Sequence, residues 1–115
     1  MLPSDAMRQP LSQEDLRQAI QQALNNKDGA RFMYDPEKLL EKLEKHGVSI
    51  QDLLCVCRGW EVLQSTRWDG GTWRYRIEGY NSDKKWMAAV LSVMVNPTVV
   101  VAITGFRFSR GGRKS

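Results

Sequence analysis

Thr72, Trp73, Arg74, Tyr75, Arg76, Ile77, Glu78, Gly79 and Tyr80 form a run in which apolar and polar side chains alternate. In an extended chain Trp73, Tyr75 and Ile77 fall on one side, and Thr72, Arg74, Arg76, Glu78 and Tyr80 on the other. A period of two is that of a strand with one face buried. Turn signals bracket the run, Asp69-Gly70-Gly71 before it and Asn81-Ser82-Asp83 after it. Downstream, two stretches rich in Val, Ala, Met and Ile are separated by Asn96-Pro97. With the residues that follow Trp60, the pattern predicts four strands, near 60–68, 72–80, 86–95 and 98–108. They form an antiparallel meander whose last two strands are central and covered by helices.

Upstream of Trp60 the period is helical. Ser12 and Asp15 have the spacing of a capping box, and Leu16, Ala19, Ile20, Ala23 and Leu24 follow at i, i+3, i+4, i+7 and i+8. This predicts an amphipathic helix ending near Asn25. Arg31 to Tyr34 reads as a brief extended piece. Asp35-Pro36 is an N-cap with proline at the first helical position, opening a second helix to His46 that buries Leu39, Leu40 and Leu43. Gly47 ends it, and Ser49 with Asp52 caps a third helix with Ile50, Leu53, Leu54 and Cys57 inward. The expected class is α+β: an antiparallel β-meander of about four strands packed by two to three N-terminal helices. Residues 1–30 form an N-terminal extension with one amphipathic helix, 31–108 the α+β domain, and 109–115 a basic flexible tail.

A chain of 115 residues, 42% hydrophobic and 26% charged, has material for one core. Its longest apolar stretch, Met87 to Val95, is broken by Ser92 and is shorter than the roughly 18 to 20 residues of a membrane span. No basic start followed by an apolar run opens the sequence, so a cytoplasmic protein is expected. The two cysteines, Cys55 and Cys57, point about 200° apart on a helix and read as buried thiols that do not bond each other. With one histidine, His46, they assemble neither a tetrahedral zinc site nor a CxxC pair; no metal and no cofactor is expected.

Charge is unevenly placed. Residues 1–57 carry seven Lys/Arg and nine Asp/Glu, net −2; residues 58–115 carry ten and four, net +6. The basic half suits an anionic partner, RNA or an acidic protein. On the polar side of the second strand, Arg74 and Arg76 are of the type that grips phosphate bidentately, and Glu78 or Tyr80 of the type that moves a 2′-hydroxyl proton. Arg74, Arg76, Glu78 and Tyr80 are therefore the candidate catalytic residues of a metal-free nuclease. Arg74, Arg76, Arg107, Arg110 and Lys85 are the candidate RNA contacts. The plainer reading is a solvated strand face, with Trp60, Trp68, Trp73, Trp86, Tyr75 and Tyr80 serving packing rather than base stacking. His46 reads as a helix C-terminal residue.

The run from Arg31 through Leu54, the strand from Trp73 to Tyr80 and the run Val99 to Phe106 resemble motifs of small bacterial domains grouped with the RelE/ParE toxin superfamily. Similar there are a strand, helix and "RGIS-x-x-D" turn, a strand reading "W-x-y-x-v-x-G" and a closing strand "vvviT". The resemblance covers about 31–108. It implies a compact sheet with two helices on one face, and an activity of messenger-RNA cleavage or the binding of an antitoxin-like partner. Lys38 stands where a histidine commonly opens the family's helix, and His46 where an arginine precedes the glycine. The alternative function is a non-catalytic interaction module whose basic sheet docks an acidic partner.

Overall fold

The computed structural model describes residues 9–108. Arg110 and the 109–115 tail lie outside them. In chain order the elements are α1 (Gln13–Leu24), a short 3-10 turn (Lys27–Gly29), β1 (Arg31–Met33), α2 (Pro36–Lys45), α3 (Ile50–Gly59), β2 (Val62–Asp69), β3 (Thr72–Tyr80), β4 (Trp86–Met94) and β5 (Val99–Arg107). The class is α+β.

Each helix begins where a side chain replaces a missing backbone acceptor. Ser12 Oγ accepts the Asp15 N–H at 3.1 Å, and Asp35 Oδ1 accepts those of Glu37 and Lys38 at 3.1 and 3.3 Å. At α3 the box is reciprocal: the Asp52 N–H donates to Ser49 Oγ at 3.1 Å and the Ser49 N–H to Asp52 Oδ2 at 3.0 Å.

The sheet is five-stranded and mixed, in the order β1-β5-β4-β3-β2. This corrects the expected four-stranded, wholly antiparallel sheet. Neighbouring pairs from β2 to β5 are antiparallel, but Arg31, Phe32 and Met33 add as a fifth strand, parallel to Val99, Val100 and Val101. Three residues are too short to show a period, whereas the helices between β1 and β2 supply the crossover that a parallel pair requires. The β2–β3 hairpin turns on two residues, Gly70 at φ +60° and Gly71 at φ +104°, the left-handed geometry that matches strand twist.

All three helices lie on one face. Leu16, Ala19, Ile20 and Ala23 of α1, Leu39 and Leu43 of α2, and Leu53, Val56 and Cys57 of α3 form one core with Tyr75, Ile77, Met87, Ala89, Leu91, Val93, Val100 and Ala102 of the sheet. Each large side chain buried there contributes about 1.5–3 kcal/mol. Two expectations for the helices are corrected. Leu40 is 47% exposed, and Val56 rather than Leu54 is fully buried, because α2 and α3 meet the sheet along narrower stripes than the sequence pattern suggested. Trp60 does not open a strand. It caps α3 and is 2% exposed, with the Arg17 guanidinium 4.2 Å above its ring and Arg17 Nη1 donating to its carbonyl at 2.9 Å.

Of the two cysteines, Cys57 is buried, and burial pushes its thiol up to about 12. Cys55 is half-buried, its Sγ 3.8 Å from the Tyr80 carbonyl.

Candidate functional site

The helices leave the other face of the sheet open. Cross-strand register fixes which side chains share it, because directly opposed residues project to the same side. One row runs Arg67, Arg74, Ser92, Val101, Met33; the next runs Ser65, Arg76, Val90, Thr104. A third contains Val62, Glu78, Ala88 and Phe106, and Tyr80 faces Trp86 beyond it.

The sequence-derived candidates separate into two groups on this face. Arg76 and Glu78 belong to a small polar-aromatic cluster. Arg76 Nε donates to Glu78 Oε2 at 3.1 Å, and Trp86 Nε1 donates to Glu78 Oε1 at 3.3 Å. The Arg76 guanidinium lies 5.0 Å from both the Phe106 and the Phe108 ring centroids, a cation–π arrangement that reaches across the small Ala88. Glu78 is 7% exposed, and both its oxygens are engaged. Tyr80 packs edge-on against Trp86, ring centroids 4.9 Å apart. This cluster gives the uncovered face a miniature core of its own.

Arg74 belongs to the second group, nearer the hairpin turn. Its Nη1 stands 3.3 Å from Asp69 Oδ2, and the same oxygen is 3.5 Å from Arg67 Nη2. Ser65, Arg67, Arg74 and Arg76, with Val90 and the backbone at Tyr75, line a shallow groove of about 230 Å³. Three arginines line the groove and no carboxylate does; Arg76 gives its Nε to Glu78, and Asp69 pairs with Arg67 and Arg74 from the turn side. The Arg74 Nε is buried and has no acceptor among the described residues.

Tyr80 lies six positions along β3 from Arg74, about 20 Å at about 3.3 Å per residue. The four candidate catalytic residues therefore do not converge on one phosphodiester. Arg107 is not part of the face either: it opposes Met87, a core residue, and its Nη2 lies 3.3 Å from where a Cβ on Gly47 would stand. Phe106 and Phe108 take the polar side instead. Lys85 is exposed in the β3–β4 turn, its backbone N–H donating to Asn81 Oδ1 at 2.9 Å, at the end of the sheet remote from the groove.

Arg67 and Ser65 were not among the candidates, although a signal for them exists. A two-residue turn at Gly70-Gly71 pairs Asp69 with Thr72, and counting back places Arg67 opposite Arg74 and Ser65 opposite Arg76. The register shifts only beyond that point, between Leu63 and Ser65.

No family model matches the chain, and no curated protein matches it.

Proposed function

We propose that the open face of the sheet binds single-stranded RNA by its phosphates, with Arg67, Arg74 and Arg76 as the contacts and Ser65 as a hydroxyl partner. The observation that carries this reading is the groove lined by three arginines and no carboxylate. Planar guanidinium forks match phosphate oxygens. The +6 balance of residues 58–115 supplies the long-range attraction. The resemblance to RelE/ParE-type domains favours RNA over other anions. Cleavage is not part of the proposal. Glu78 already accepts hydrogen bonds from Arg76 and Trp86, and Tyr80 stands some 20 Å along the strand from Arg74 by the spacing above.

The test is titration of the purified protein into labelled single-stranded RNA over a salt series, with and without chelator. Salt-sensitive binding unaffected by chelator is the expected result; absence of binding at low salt overturns the proposal.

A second reading, an acidic protein partner, is favoured by the apolar half of the same face. Met33 and Met94 are 48% and 43% exposed there, beside half-buried Val90, Val99 and Val101.

A further inference from the structure

The open face is amphipathic across its width, with arginines on β2 and β3 and an apolar strip on β4 and β5 that continues to Met33 of β1, where Arg31 borders it in the row of Met94 and Val99. The opposite side of the molecule carries its counterpart. On α2, Leu39 and Leu43 face the core, whereas Glu37, Leu40, Glu41 and Glu44 recur at i, i+3, i+4 and i+7 and line one shallow depression on the outer surface. Two of the three lysines of α2, Lys38 and Lys42, line the hollow against β5 instead, while Lys45 borders the stripe one turn after Glu41. None of the three glutamates forms an ion pair among the described residues. Leu40, 47% exposed at the centre of the stripe, is the largest apolar side chain that α2 presents to solvent.

We infer that the acidic stripe of α2 docks on the open sheet face of a second copy of this chain, Leu40 against the Met33 and Met94 strip and the glutamates against Arg67 and Arg74. Charge complementarity selects this occupant: three carboxylates, unpaired among the described residues, flank one leucine and meet a face on which Arg67 and Arg74, sharing the single part-exposed carboxylate of Asp69, border apolar side chains. The two patches lie on opposite sides of the fold, so they cannot close within one chain. Nor can the contact be two-fold symmetric; it is head-to-tail, leaving one free patch of each kind at the ends of a chain of protomers. The helix stripe also occupies the groove assigned to RNA, so self-association and RNA binding exclude each other. The inference shares that face but does not depend on RNA binding.

Sedimentation velocity on nuclease-treated protein over a concentration series tests it. At low salt the weight-average mass should rise with concentration above that of the 13.2 kDa monomer and fall back in 0.5 M salt. The E37K/E41K variant and the R67E/R74E variant should each remain monomeric, and an equimolar mixture of the two should associate again, because both the native and the charge-swapped contact are complementary between them. The E37K/E41K variant should keep its RNA affinity, which separates failure of this contact from failure of the RNA reading. A wild-type protein monomeric throughout overturns the inference. So does association that survives the glutamate reversal, or that disappears with nuclease treatment and was therefore RNA-bridged.

Discussion

Arg76 and Glu78, two positions apart on the open face of β3, form an ion pair of 3.1 Å roofed by the rings of Phe106 and Phe108. Their side chains are 32% and 10% exposed, so the pair is far drier than the Arg67 contact to Asp69, whose arginine is 73% exposed. Removing one partner of a buried pair strands the other charge, whereas an exposed pair contributes little. Arg76→Ala should therefore lower stability by about 1–3 kcal/mol in urea titration, and Arg67→Ala by less than about 0.5 kcal/mol. Equal effects would show that the cluster is not structural.

Tyr75 ties the segment before α1 to the sheet. Its hydroxyl accepts the Leu11 N–H at 3.0 Å and donates to Gln9 Oε1 at 2.7 Å. Tyr75→Phe leaves the buried Leu11 N–H without its acceptor and should cost about 1–2 kcal/mol. Hydrogen exchange at the Leu11 amide checks the cause, since the rate should rise more there than in β3.

Alkaline pH should unfold the protein through two buried acids. Burial raises the Tyr75 phenol above its usual 10.0, partly opposed by the Leu11 N–H, and raises the Cys57 thiol from 9.0 to about 12. A raised folded-state value means that the unfolded chain loses its proton first. The stabilisation is complete below pH 9 and is lost as pH climbs from 9 towards 12, by about 4 kcal/mol for the thiol at about 1.4 kcal/mol per unit. Cys57→Ala should be less stable at pH 7 but show a flatter decline above pH 9 in denaturant midpoints. At neutral pH a thiol reagent should modify half-buried Cys55 and reach Cys57 only on unfolding.

Gly79 packs directly against the backbone that follows α3. A Cβ there would stand 2.8 Å from the Trp60 Cα, where the Glu61 N–H donates to the Glu78 carbonyl at 2.8 Å. The obstacle is backbone and cannot rotate away. Gly79→Ala should cost about 1–3 kcal/mol, whereas Gly59→Ala, with nothing within 4 Å, should be far milder; thermal melts of the two variants make the comparison.

The helices were legible because their caps are local: Ser12, Asp35 and Ser49 announce each start within four residues. Alternation in 72–80 identified both faces of β3 before its neighbours were known, and Gly-Gly at 70–71 fixed the adjoining register. What escaped depends on contacts distant in sequence. The parallel pairing of β1 requires Val99 to Val101 from the far end of the chain. The fate of Glu78 was set by Trp86, Phe106 and Phe108, which the strand pattern of β3 does not contain. Shared sidedness on one strand brought Arg74 and Tyr80 together on paper, but strand rise holds them apart.

The central claim, that RNA phosphates sit among the groove arginines, is tested most directly by comparing wild-type protein with the R67A/R74A variant in fluorescence-anisotropy titrations of single-stranded RNA across a salt series. Both arginines can be removed without touching the Arg76–Glu78 cluster, so the fold should persist by circular dichroism. The account predicts an affinity loss of about tenfold or more at low salt, and a log–log salt dependence shallower by about 1.4, the loss of two phosphate contacts at about 0.7 each. Unchanged affinity and an unchanged slope in a folded variant would contradict it.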